Sequence, residues 1–205
     1  MSTYRPAELS DLPQIRAINA HYITNTSLTF MTTPPPLETY IAKWHDLKSR
    51  GLPFLVAVQE TQTKSDKTVI ILGYASFSSF RGHLLSYGPT VELSLFVHPD
   101  YQSRSIGSAL LDSLLDMIRC KTVHHKVEEA LLDESGNVDL NGGEAIVVRN
   151  VMAVMAVDPE GKDGGEALRR WYCERGFVEK GRLEKVGFKR GYWIDTIYLQ
   201  FSTLT

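Results

Sequence analysis

The stretch from Thr90 to Leu115 narrows the choice of fold more than any other part of the chain. It reads TVELSLFV, then HPDYQSRSIGS, then ALLDSLL. Val91, Leu93, Leu95 and Val97 alternate with Glu92, Ser94 and Phe96, which is the period-two pattern of a strand. Beyond Gly107, the residues Leu110, Leu111, Leu114, Met117 and Ile118 recur at helical spacing. A strand therefore passes through a short polar turn directly into a helix. The start of a helix carries unpaired N–H groups and the positive end of the macrodipole, so the junction suits an anion. The turn Gln102, Ser103, Arg104, Ser105, Ile106, Gly107, Ser108 can wrap a pyrophosphate with backbone donors, and Arg104 adds charge. It is not a Walker loop, because no Gly-Lys-Ser/Thr ending is present, and its single glycine excludes a GxGxxG motif. On its own, an ordinary strand–turn–helix junction would look the same.

Composition sets the outer bounds. With 205 residues and 43% hydrophobic content, the chain can bury one core, and a single domain over residues 1–205 is expected. A net charge of -2 and a pI near 6.3 argue against a nucleic-acid partner. Cys120 and Cys173 lack metal or redox spacing and read as reduced thiols of a cytoplasmic protein. No apolar run follows Met1 and no stretch approaches membrane-spanning length, so no membrane partner is expected.

Along the chain, Thr3 to Arg5 reads as a first strand. Ser10 can cap a helix starting near Asp11, with Pro13 in its first turn and Leu12, Ile15, Ile18 and Tyr22 on one face. A polar loop from Asn25 to Pro36 precedes a second helix carrying Leu37, Tyr40, Ile41, Trp44 and Leu47, with Gly51 suited to its C′ position. Phe54 to Val58 and Val69 to Phe77 form a β-hairpin pattern, and Ser78 to Pro89 is a loop. Lys121 to Val148 is acidic, glycine-containing and without periodicity, so a flexible surface insertion is expected there. Val151 to Val157 is a buried strand, Glu166 to Arg175 a short helix ending at Gly176, and Tyr192 to Phe201 a final strand. This order gives an α/β domain with a mixed sheet.

Several clusters of residues together resemble one family. The turn resembles the pyrophosphate loop of the GNAT N-acetyltransferase superfamily, with Gln102 first, Gly107 last and Ser105 where that family usually has a glycine. Asn25-Thr26 with Thr29-Phe30, Tyr74-Ala75-Ser76 with Phe80-Arg81, and Thr90-Val91-Glu92 with Ser94 and Val97 are similar to the phosphinothricin and methionine sulfoximine acetyltransferase branch. So are Gly181-Arg182, Val186-Gly187-Phe188-Lys189, Gly191, Trp193-Ile194-Asp195 and Gln200, a register that packing alone gives no reason to demand. The resemblance implies a GNAT-like fold, a mixed central β-sheet with helices on both faces, acetyl-CoA as co-substrate, no metal and a homodimer.

Transfer of an acetyl group to an amine needs a base for the amine's proton, and Glu92 is the candidate. The resemblance gives a glutamate at this position that role. Tyr172, four residues before Gly176-Phe177, stands where many superfamily members place the acid that protonates the departing thiolate. The branch more often has histidine there, and a core aromatic explains Tyr172 equally well. The turn from Asp158 to Gly165 is longer than the family's and lacks its coenzyme-contacting asparagine, so Asp163 takes no role. The donor is expected in the splay between the strands Thr90–Val97 and Val151–Val157, where the backbone of Leu95, Phe96 and Val97 can pair with the pantetheine amides. Arg81 is the expected partner of a substrate carboxylate, with Lys189 a second cation and Phe30, Phe80 and Tyr87 as apolar walls. His98 is read as a turn cap, and no metal is expected. The leading reading is acetylation of a small amino acid or analogue. A peptide N-terminus or polyamine as acceptor, and acyl-CoA binding without turnover, stay open at this level.

Overall fold

The computed structural model describes residues 2–62, 67–82, 84–127, 131–132, 138–139 and 145–204. Seven strands form one sheet: β1 (Ser2–Pro6), β2 (Phe54–Gln62), β3 (Lys67–Ser79), β4 (Thr90–Val97), β5 (Asn150–Ala156), β6 (Val178–Lys189) and β7 (Tyr192–Ser202). Their spatial order is β1-β2-β3-β4-β5-β7-β6. All neighbours are antiparallel except β4 and β5, which run parallel at the centre. Four α-helices complete the domain: α1 (Leu12–Asn25), α2 (Leu37–Ser49), α3 (Ile106–Arg119) and α4 (Glu166–Cys173). The architecture is the expected α/β mixed sheet covered on both faces.

The alternation of β4 decides which face each helix covers. Val91 and Leu93 are buried on one side, while Glu92, Ser94 and Phe96 point to the other. α3 packs on the Leu95 and Val97 side, and its Leu110, Leu111, Leu114, Leu115 and Ile118 are completely buried. Each such side chain contributes roughly 1.5–3 kcal/mol through removal from water. α1 and α2 cover the Phe96 side, where the Tyr22 and Tyr74 rings lie 5.1 and 5.5 Å from that of Phe96.

Several local expectations are met. Pro13 sits in the first turn of α1, Gly51 follows α2 with φ of 70°, and the His98 ring accepts a bond from the Asp100 amide at 3.2 Å. Others need correction. Ser10 does not cap the first helix: a 3-10 turn over Leu9–Asp11 precedes it, closed by a reciprocal Glu8–Asp11 capping box. β6 was not anticipated, because its sequence is polar and its pairing with β7 is broken by two register shifts, Glu179/Gly181 and Leu183/Gly187. The segment 121–148 is not a surface insertion at its two ends. His124–Lys126 pairs with Ala145–Val147, and Val123, Val127 and Val148 are buried. Its acidic middle lies mostly outside the described residues.

Candidate active site

The parallel pair β4–β5 is short. It holds only for Thr90↔Asn150, Val91↔Val151 and Glu92↔Met152, after which the strands part. The V-shaped gap opens into a cleft of about 570 Å³. Its walls are β4 from Glu92 to Val97, β5 from Ala153 to Ala156, the turn before α3, and Leu168, Trp171 and Tyr172 of α4. Of the residues expected from sequence, the structure brings together Glu92, Leu95, Phe96, Val97, Gln102, Ser103, Ser105, Ile106, Gly107, Ser108, Phe30 and Tyr172 around this one space.

The turn owes its shape to left-handed backbone. Ser103 and Ser105 have φ of 59° and 58°, conformations that cost a residue with a Cβ. Ser105 is the residue that caps α3, so the strain sits at the helix start, where the N–H groups of Ile106, Gly107 and Ser108 lack intrahelical partners and these residues line the cleft. A Cβ on Gly107 would approach Val97 Cγ2 at 3.3 Å and Leu95 Cδ2 at 3.5 Å, so the helix start lies tight against β4. Gln102 turns out to be structural: it donates to the Tyr22 hydroxyl at 2.8 Å, and Tyr22 donates to the Val97 carbonyl at 2.6 Å. This relay fixes the end of β4 through one bond to the Val97 carbonyl, in the stretch Leu95–Val97 whose backbone was expected to pair with the pantetheine amides. Arg104 lies outside the cleft walls, with its guanidinium 5.0 Å from the Tyr101 ring.

Glu92 stands at the narrow end of the gap. Burial pushes its carboxyl above the ordinary value, and the positive charge of Lys43 partly offsets this. A carboxylate with raised affinity for protons is a better base at neutral pH. Tyr172 is buried among Trp171 and Phe177, with ring centroids at 4.9 and 5.3 Å. Loss of solvent pushes its hydroxyl up to about 12, so it keeps its proton and can donate it.

The expected acceptor residues divide. Phe30 reaches the cleft because the C-terminal hairpin holds it there: a Cβ on Gly187 would run into the Phe30 ring, and Lys189 Nζ donates to the Thr29 carbonyl at 2.7 Å. Asp195 accepts from Arg182 at 2.7 Å and from the Lys185 amide at 2.8 Å. Positioning of the hairpin therefore does give a reason for Gly187, Lys189 and Asp195, and Lys189 is engaged rather than a second cation for substrate. Phe80, Arg81 and Tyr87 do not line the cleft. β3 ends at Ser79, Phe80 and Tyr87 meet edge to face at 5.4 Å, and Arg81 is exposed with φ of 53°.

The sequence reading missed two features. Arg175 donates to Ser108 Oγ at 2.7 Å and stacks 4.1 Å from the Trp171 ring, tying α4 to the start of α3. A side cavity of about 230 Å³ shares the walls Thr29, Ser94 and Phe96 with the main cleft and is lined by Asn19, Tyr40, Lys43 and Tyr74. Lys43 falls within the apolar stripe of α2 between Tyr40 and Leu47, a position at which a lysine is out of pattern. That was the available signal. Among the described residues, no three His, Cys, Asp or Glu side chains gather as a metal site.

A splayed parallel pair, a left-handed turn opening a helix and a partly desolvated carboxylate meet around one cleft, an arrangement able to hold an anion-bearing ligand beside a base. The sequence model of the acetyltransferase (GNAT) family matches residues 17–139. The chain is 29% identical to the phosphinothricin N-acetyltransferase of Alcaligenes faecalis over 198 residues, 97% of this chain and 81% of that protein. It is 30% identical over 202 residues to the L-methionine sulfoximine/L-methionine sulfone acetyltransferase of Pseudomonas aeruginosa, covering 98% and 94% of the two chains. The crystal structure of a phosphinothricin acetyltransferase from Sinorhizobium meliloti in complex with AcCoA superposes with a TM-score of 0.73 at 24% identity, over 98% of this chain and 88% of that one. The chain belongs to the acetyltransferase (GNAT) family and is an N-acetyltransferase.

Proposed function

We propose that the protein acetylates the α-amine of a small amino acid or analogue of the phosphinothricin or methionine sulfoximine kind, by direct transfer. Acetyl-CoA is the acetyl donor. Its pyrophosphate lies on the turn Ser103–Ser108 and its pantetheine arm enters the gap between β4 and β5. The observation that carries the reading is Glu92, a carboxylate of raised proton affinity at the narrow end of the gap and, among the described residues, the one charged side chain lining it. The free amine attacks the thioester carbonyl and forms the C–N bond. Glu92 accepts the amine's proton, directly or through water, as the C–S bond breaks, and the Tyr172 hydroxyl donates a proton to the departing sulfur. The relatives named for phosphinothricin and methionine sulfoximine support the acceptor class.

A second copy of the chain fits the outer face of β6 and β7. Val186, Phe188 and Trp193 are 55%, 60% and 63% exposed there, a group of large apolar side chains left to solvent on one face. The free thiols Cys120 and Cys173 suit a reducing cytoplasm. Release of coenzyme A thiol from acetyl-CoA, followed across amino acids, dipeptides and polyamines, tests the acceptor class. Turnover with methionine sulfoximine or phosphinothricin well above spermidine is the expected result. Turnover confined to polyamines or peptides would overturn it.

A further inference from the structure

We propose that Lys43 is the anchor of the acceptor's carboxylate, which enters the side cavity behind Ser94 while the α-amine stays in the main cleft before Glu92. The inference rests on the amino-acid reading above and names the residue that recognises this class.

Geometry supports it first. The side cavity opens on the main cleft through shared walls at Thr29, Ser94 and Phe96, and Glu92 lies two residues before Ser94 on the same face of β4. An amino acid has its amine and carboxylate on one carbon, so its two charged groups need partners of opposite sign close together. Among the described residues, Lys43 is the one charged side chain lining the side cavity, and Glu92 is the one lining the cleft. They interact electrostatically, each shifting the other toward its charged form.

The surroundings of Lys43 agree. Removal from water lowers its pKa, and among the described residues its ammonium makes neither a hydrogen bond nor a close ion pair. A desolvated ammonium without a direct partner gains by receiving an anion. A polar group beside it is already organised: Tyr40 donates to Asn19 Oδ1 at 2.6 Å. A polyamine would bring a second positive charge toward Lys43, so the same cation that holds an amino acid repels that acceptor. Arg81, the cation expected from sequence, lines neither cavity.

The test compares methionine sulfoximine with its α-carboxamide, using saturating acetyl-CoA and the wild-type, Lys43→Met and Lys43→Gln proteins. The ratio of kcat/KM between the two acceptors is independent of how much enzyme is active, so partial misfolding cannot produce the result. Wild type should favour the acid, and both variants should lose that preference by roughly 10- to 100-fold, through the KM of the acid. The KM for acetyl-CoA should not move. Lys43→Arg should restore part of the preference. A variant ratio equal to wild type overturns the anchor while leaving the amino-acid reading intact. A lower kcat with a displaced pH profile and an unchanged ratio also overturns it, since Lys43 would then act only through Glu92. Wild type that acetylates other amines but no amino acid overturns both.

Discussion

The cleft has two halves that are built differently. On the proposed coenzyme side, the strand backbone from Leu95 to Val97 and the turn Ser103–Ser108 come from one continuous stretch of chain and face β5 and α4 across the gap. On the acceptor side they are the side chains of Tyr22, Phe30, Lys43, Glu92 and Tyr74, delivered by α1, the following loop, α2, β4 and β3. One wall of the coenzyme half is set locally by a strand, a left-handed turn and a helix, and changing a side chain there matters mainly through bulk. The acceptor half exists only once distant segments have packed, and each side chain there can change the chemistry or the specificity. A common donor with variable acceptors is what such a division allows.

Glu92→Gln tests the acceptor half most severely. The amide keeps the shape of the carboxyl but cannot take a proton, so kcat should fall roughly 10²–10³-fold. The KM for acetyl-CoA should stay near wild type, because the coenzyme half is untouched. Steady-state kinetics at neutral pH measure both, and a wild-type kcat would remove Glu92 from the reaction.

The same division explains what could be read from sequence. The coenzyme half was legible because alternation, turn chemistry and helical spacing all lie within Thr90–Leu115. Phe30 was reached by resemblance, but the reason it points inward, the missing Cβ at Gly187, lies 157 positions away (187 − 30) and only the fold brings it close. Lys43 was passed over because a helix lysine is normally a solvated one. Arg81 was over-read because a loop cation carries no mark of where its loop will turn. β6 was lost to its bulges, which break the alternation on which strand reading depends.

Gly107→Val probes the coenzyme half. The substituted Cβ itself meets only the ends of Val97 and Leu95, which can yield by tenths of an ångström. The two additional methyl groups must occupy the cleft where the coenzyme's phosphates approach the helix N–H groups. The KM for acetyl-CoA should rise roughly tenfold or more, the cost of losing a hydrogen bond to a charged group. Gly107→Ala should change it far less. Calorimetric titration with coenzyme A should show the same order, and equal affinity for Gly107→Val and wild type would move the pyrophosphate elsewhere.

Ser105→Gly sharpens the contrast from the other direction. Ser105 caps α3 at φ of 58° without any side-chain capping bond, so its Cβ brings strain and no return. Glycine removes that strain and loses some to its freer unfolded chain, leaving a net gain on the order of 0.5–1 kcal/mol. Thermal unfolding should show a Tm higher by roughly 2–4 °C at most, with acetyl-CoA affinity kept or slightly improved. A lower Tm would mean that the serine hydroxyl does something in the turn beyond tolerating its conformation.

The smallest effect concerns the stability that Glu92 costs the fold. Burial raises its folded-state pKa above the ordinary carboxyl value, with Lys43 opposing the rise. Below the ordinary carboxyl range, around pH 3, Glu92 is protonated in both folded and unfolded protein and the burial carries no ionisation penalty. As pH rises through the raised folded value, the unfolded chain ionises more readily than the folded one, and the wild type loses stability. Glutamine resembles the protonated acid and does not ionise. The Tm of Glu92→Gln should therefore match wild type near pH 3 and exceed it slightly near pH 7, by roughly 2 °C or less. Replacing Lys43 with Met in both backgrounds should widen the neutral-pH gap, because the charge that offsets Glu92's burial is gone. Melting curves of the four proteins at the two pH values decide it, and a gap that is the same at both would mean that Glu92 ionises in the cleft as easily as in water.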